Sequence, residues 1–162
     1  MKHIAKLLLC TLLVAALLCG CTAEKAYTSG ELTMTLPGYF LDLSDDPAAA
    51  EKEFLYGYKN VGIMGMKEEK SLLEEYYGEL TVADYAQLLN EIGQYGQEIT
   101  EKDGIVTFTY AAEAEGDNYT YITAFFESSE YFWTIQVYTL TSEYEKLSQD
   151  MWGYITTITI AE

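Results

Sequence analysis

The sequence predicts an α+β fold, an antiparallel β-sheet flanked by helices, and three observations predict it. Residues 105–139 hold three successive runs that alternate apolar and polar positions with short turns between them, the pattern of an antiparallel meander. Apolar residues fall at helical spacing behind Thr81 and again behind Ser142. A further alternating run, Glu31 to Leu36, stops at Pro37-Gly38. Strands, helix, meander and helix in that order describe an antiparallel sheet covered by helices.

In the opening strand Leu32, Met34 and Leu36 share one face. Asp42, Ser44, Asp45, Asp46 and Pro47 follow as a polar loop. Phe54–Tyr58 and Val61–Met66 read as two strands around Lys59-Asn60, and Gly57, Gly62 and Gly65 imply bulges or close backbone contact. The run Leu72-Leu73-Glu74-Glu75-Tyr76-Tyr77 fits a helical turn or a loop. Thr81 with Asp84 forms a capping box, and Val82, Tyr85, Leu88, Leu89 and Ile92 make the helix that Gly93 ends.

Beyond it, Val106, Phe108 and Tyr110 alternate with Thr107 and Thr109. Glu115-Gly116-Asp117-Asn118 turns the chain into the strand Tyr119–Phe126, and Ser128-Ser129-Glu130 turns it into Tyr131–Thr139. Ser142 with Glu145 fits a second capping box, opening a helix with Tyr144, Leu147, Met151 and Trp152. Residues 155–160 are rich in β-branched residues and either extend that helix or form a last strand.

The first twenty residues have a different character. Lys2, His3 and Lys6 precede an uncharged run, Leu7 to Cys19, too short to span a bilayer and of the right length for the apolar part of a secretory signal. The junction Leu18-Cys19-Gly20-Cys21 resembles the bacterial lipobox, with Leu three positions before the cysteine and a small residue directly before it. That resemblance implies a diacylglyceryl group on Cys21 and cleavage after Gly20. Cys19 departs from the Ala or Ser more usual at its position, and a secreted protein cut near Ala23 or a short uncleaved anchor are the alternatives. A diacylglyceryl cysteine holds a membrane stably, where one acyl chain does not. Residues 21–30 are small and polar and read as a flexible tether, leaving 31–162 as a single domain.

Removing residues 1–20 from the 162 leaves 142, a length suited to one core. The leader takes Lys2 and Lys6 and no acidic residue, so the formal charge falls from −17 to −19. Such a surface repels nucleic acid and anionic headgroups. The only histidine, His3, lies in the leader, and there is no arginine. Cys21 is the only cysteine after the cut, so no disulfide forms within the chain. Ser–His and Cys–His nucleophile pairs and histidine or thiolate zinc sites are excluded. Paired carboxylates, a Lys or Tyr base, and Ser–Lys chemistry remain.

The opening strand ending Leu36-Pro37-Gly38, the helix beginning Leu80-Thr81-Val82-Ala83-Asp84-Tyr85, the hairpin with its acidic turn and the late helix together resemble the PsbP-like superfamily. The likeness covers most of residues 31–162 and rests on pattern and order. It implies a sheet between helices that serves as a binding scaffold without a shared catalytic centre. No functional residue carries over, because no motif position matches one.

Candidate sites have simpler explanations beside them. Asp42, Asp45 and Asp46, or Glu113, Glu115, Asp117 and Asn118, carry oxygens suited to calcium, yet neither spacing is that of an EF-hand, and Asp and Asn dominate ordinary turns. Glu68, Glu69, Glu74, Glu75 and Glu79 would serve as acid and base only with one pKa raised by burial; a solvated face is the simpler reading. Fifteen tyrosines with Trp133 and Trp152 supply a core, and the outward set on the strands, with Tyr119, Tyr121 or Tyr131, is the candidate contact surface for sugars or peptides.

The expected function is a non-catalytic binding or assembly module, lipid-anchored through Cys21 on the extracytoplasmic face of a bacterial cell membrane. No cofactor or nucleic acid is expected; the partners are the membrane and a protein or small-molecule ligand. A carboxylate-based hydrolase of cell-wall or sugar polymers and a divalent-cation binding module are the alternatives.

Overall fold

The computed structural model describes residues 23–161. The leader and the Gly20–Cys21 junction lie outside them. In chain order the strands are β1 (Glu24–Ser29), β2 (Leu32–Pro37), β3 (Leu41–Asp42), β4 (Phe54–Tyr58) and β5 (Val61–Glu69). They continue as β6 (Thr100–Lys102), β7 (Ile105–Ala114), β8 (Asp117–Glu127), β9 (Tyr131–Leu140) and β10 (Thr159–Ile160). The helices are α1 (Lys70–Tyr77), α2 (Val82–Ile92) and α3 (Thr141–Ile155).

The alternating runs build the expected antiparallel meander, and β5 extends it through nine paired residues with β9, giving a seven-stranded sheet in the order β3-β4-β5-β9-β8-β7-β6. Because side chains alternate across each strand, one pairing register creates two different faces. On one face Phe108, Phe125 and Phe132 pack with Tyr85 and Ala86 of α2. On the other Ile63, Ile122, Trp133, Ile135 and Val137 pack with Met151 and Ile155 of α3 and with Leu32, Met34 and Leu36 of β2. The molecule is thus a sheet between helices, with a small three-stranded sheet, β1-β2-β10, sharing the second layer.

Glycines allow the sheet to carry large rings. A Cβ on Gly65 would lie 2.2 Å from Phe54 Cε1, and one on Gly62 would lie 2.1 Å from Tyr138 Cζ. Both are close approaches within regular pairing, not bulges. Phe54 is buried and stacked on Tyr56 with ring centroids 5.0 Å apart, so it has nowhere to go; the half-exposed Tyr138 swings out more readily. Gly65→Ala is expected to cost about 1–3 kcal/mol by overpacking, and Gly62→Ala clearly less. Urea unfolding of both variants checks the order; equal costs would contradict it.

Four expectations are settled differently or more finely. Residues 24–29 are not tether but strand: β1 pairs with β2 along its length, and Tyr27 buries its ring and donates its hydroxyl to the Phe40 carbonyl at 2.7 Å. A single aromatic among small polar residues carries that burial, too little for a periodic signal. Ser142 and Glu145 form no capping box, because α3 begins two residues earlier than such a box requires, with Leu140 at the cap position, and Thr141 is hydrogen-bonded to Thr120 at 3.0 Å. Residues 70–77 are helical, although none of them is buried. The C-terminal run divides: α3 ends at Ile155, and Thr159–Ile160 pairs with β2. The box at Thr81 forms as expected, with Thr81 accepting from Asp84 N–H at 3.2 Å and Asp84 accepting from Thr81 N–H at 3.0 Å.

Glu31, in the β1–β2 turn, ties the small sheet to the large one. Its carboxylate accepts from Trp133 Nε1 at 3.1 Å and Ser128 Oγ at 2.9 Å. Burial alone would raise its pKa, but hydrogen bonds from its own backbone, Trp133 and Ser128, with Lys67 nearby, hold it below the ordinary range. A depressed folded value means stability that is complete above the unfolded pKa of about 4.3 and is lost as pH falls through the folded value. Wild type should therefore lose more stability on acidification than Glu31→Gln, and parallel acid profiles would remove this role.

Candidate functional site

The face covered by α1 and α2 is not filled. A cleft of about 360 Å³ remains between the C-terminal half of α2 and the sheet, within the lower range of ligand sites. Leu89, Ile92 and Gly93 form one wall, and Met66, Phe108, Phe125, Thr123, Thr134 and Gln136 form the floor. Tyr95 closes one side. It is brought back by a loop that Asn90 holds, donating to the Gln97 carbonyl at 2.8 Å and accepting from the Gln97 N–H at 3.1 Å.

Polar groups converge on this apolar space. The buried Tyr85 hydroxyl donates to Glu68 Oε2 at 2.6 Å and lies 3.1 Å from Thr134 Oγ1. Burial raises the Tyr85 pKa and the accepting Glu68 carboxylate raises it further, so the phenol keeps its proton and fixes the carboxylate at the rim. Gln136 donates to Tyr110 Oη at 3.0 Å, and burial pushes the Tyr110 phenol up as well. Among the described residues Thr123, 1% exposed, finds no hydrogen-bond partner for its hydroxyl, as is also true of Thr139 outside the cleft. By register Thr123 stands between Phe108 and Gln136. A buried hydroxyl without a partner is costly, and most proteins avoid it.

From the cleft a row of tyrosines crosses the same face. Tyr95 meets Tyr110 at 4.2 Å between centroids, Tyr110 stacks on Tyr121 at 4.8 Å and 7°, and Tyr121 meets Tyr138 at 5.3 Å. Tyr119 joins the row edge-on to Tyr138 at 6.0 Å. The expected aromatic surface therefore holds Tyr119 and Tyr121 but not Tyr131, which lies on the opposite face beside Lys67 and the larger core.

The acidic candidates are dispersed. Asp42 accepts from Ser44 N–H and Oγ, and Asp46 caps the short 3-10 turn Pro47–Ala49 by accepting from Ala48 N–H at 2.8 Å. Glu113 and Asn118 face each other across β7 and β8, with Glu115-Gly116 as the two-residue turn in left-handed backbone, φ 54° and 90°. Among the described residues no three Asp, Glu, His or Cys side chains are grouped to hold a metal ion. Of the acidic run, Glu68 reaches the cleft, while Glu69, Glu74, Glu75 and Glu79 are solvated. Among the described residues Glu31, Asp42 and Asp84 are held below the ordinary carboxylate range, chiefly by the hydrogen bonds they accept.

Sequence reasoning missed Thr123, Thr134 and Gln136. Their signal was present: they are polar residues on the strand face that also carries Phe125 and Phe132. A polar residue on a predicted core face is the one to examine.

No family model matches the chain, and no curated protein does. Solved structures match its fold. The cyanobacterial PsbP (CyanoP) of Synechocystis superposes at TM-score 0.55 with 10% identity, covering 88% of this chain and 95% of that one. A protein of Bacteroides thetaiotaomicron gives 0.55 with 10% identity over 86% of this chain and 48% of its own. LpqN of Mycobacterium tuberculosis, involved in cell envelope biogenesis, gives 0.52 with 15% identity over 86% and 91%. The chain is an α+β protein with the PsbP-like fold.

Proposed function

We propose that this protein is a lipid-anchored, extracytoplasmic, non-catalytic binding module whose ligand seats in the cleft beneath α2. The observation that carries the reading is the cleft itself, an apolar space whose lining brings the buried Thr123 hydroxyl, Gln136 and the Tyr85–Glu68 hydrogen bond together. The lipobox-like junction and leader support the address, and LpqN, named for cell envelope biogenesis, shares the fold.

Ligand chemistry follows from the lining. Apolar walls take a hydrocarbon or aromatic body, and the Thr123 hydroxyl and Gln136 amide take its polar group. Glu68 at the rim belongs to none of the ion pairs among the described residues, Lys67–Glu53, Lys70–Glu127 and Lys146–Glu143. With a formal charge of −17 in the whole chain, the site favours a neutral or cationic ligand and disfavours an anion.

Thr123→Val tests this. It keeps the shape and removes the orphan hydroxyl, so the unliganded protein should gain about 1 kcal/mol, read as a higher urea midpoint. Native mass spectrometry of full-length protein purified from its own membranes should show a bound small molecule on wild type that is lost or much reduced on the variant. A variant no more stable than wild type, with equal bound mass on both, would remove the cleft as the site.

A further inference from the structure

We infer that the pole of the domain beside its first described residue sits directly on the bilayer, with Leu41, Leu43 and Tyr58 in the headgroup–acyl boundary. The inference rests on acylation of Cys21. The alternative occupant of this surface, a second copy, is an outcome of the test.

The geometry starts from chain length. Ala23 is already fixed in the fold, its carbonyl accepting from Gly38 N–H at 2.9 Å. Cys21 is two residues earlier, so the acylated sulfur's backbone lies within about 7 Å of Ala23. With residues 24–29 in a sheet there is no tether to lift the domain away. Leu41 is only three residues beyond Gly38, a reach of about 11 Å at most.

The surface at this pole suits the position. Leu41 is 63% exposed and Leu43 36% exposed, and both line an open depression with Tyr58, Lys59, Tyr119 and Leu140. Tyr39 packs on Tyr58 at 3.9 Å between centroids. Lys59 and Lys25 hold their ammonium groups 5.0 and 4.6 Å over Tyr58 and Tyr27. Aromatic rings with an apolar body and a polar tip, and lysines beside them, are the residues that settle at a membrane interface. Asp42, Asp45 and Asp46 flank the same leucines and oppose attraction to anionic lipid. The contact is therefore apolar and depends on the anchor, not on headgroup charge. Register places the β8–β9 turn, residues 128–130, and the Glu68 end of the cleft at the far ends of the same strands, facing away from the bilayer.

The test uses the full chain, whose only cysteine after the leader is Cys21. Leu41→Cys and Ser129→Cys, both at exposed positions, each carry one fluorophore, and the acylated proteins are reconstituted in vesicles of equal parts phosphatidylcholine and phosphatidylglycerol containing a spin-labelled phosphatidylcholine quencher. Position 41 should be quenched at least about twofold more than position 129, with little change on adding salt. Equal quenching in protein whose N-terminal peptide mass shows the diacylglyceryl group overturns the seating alone. Equal quenching accompanied by dimers in crosslinking assigns the pole to a second copy and also overturns it. A free Cys21 thiol overturns the anchor, and the seating with it.

Discussion

Replacing Trp133 by alanine is expected to lower stability by about 3–5 kcal/mol, the range for deleting a buried aromatic side chain. The side chain is fully buried at the place where three parts of the molecule meet. Its ring packs in the core between the seven-stranded sheet, α3 and the small sheet, and its Nε1–H donates to Glu31 in the β1–β2 turn. Lys67 lies over the same ring, its ammonium 5.3 Å from the centroid and 3.2 Å from Glu53. Truncation leaves a large cavity, a carboxylate whose remaining side-chain donor is Ser128 and a cation with only Tyr131 for aromatic support. Native domains are stable by only about 5–15 kcal/mol, so about a fifth or more of the total is at stake. Chemical denaturation should show the midpoint falling with little change in slope. Trp133→Phe should recover more than half of the loss by restoring ring area without the N–H. A loss below about 1 kcal/mol for the alanine variant would contradict a joining role for this residue.

The difference between what the sequence made legible and what it did not has physical causes. The strands β7, β8 and β9 are readable because each runs for ten residues or so in β-branched and aromatic types between recognisable turns, although β8 and β9 are buried on both faces. The α2 start is readable because a capping box is a local device whose two partners sit three residues apart. The pairing of β1 is not, since it is decided by β2 and by one ring, Tyr27, entering a core assembled from distant residues. The apparent second box at Ser142 illustrates the converse. Its residue types suit a cap, but β9 runs directly into α3 and the first turn is held by Thr141 against Thr120 on the neighbouring strand. Helix α1 carries no periodic buried stripe, so pattern alone left it undecided. The cleft was hidden for another reason. It exists only where two strands bring Thr123, Thr134 and Gln136 under one helix, a juxtaposition of register and packing that no single segment encodes.

Tyr85 offers the second large effect and separates support of the fold from support of the site. Its ring is 1% exposed, stacks on Phe132 at 4.7 Å and 13°, and meets Phe125 edge-on at 5.8 Å. These contacts hold α2 on the sheet, so Tyr85→Ala should cost about 3–5 kcal/mol, as for other buried aromatic truncations. Tyr85→Phe keeps every ring contact and removes only the hydroxyl that donates to Glu68 and lies beside Thr134. Its cost to stability should be about 1 kcal/mol, because water can reach Glu68 at the rim while the buried Thr134 hydroxyl loses a neighbour. Its effect on the site should be larger in proportion. Without the phenol the Glu68 carboxylate is free to swing away from the cleft, and occupancy by the proposed cleft ligand should fall, although the fold and the melting profile stay close to wild type. Retained occupancy in Tyr85→Phe would show that the hydroxyl serves α2 alone and that the rim carboxylate does not position the ligand.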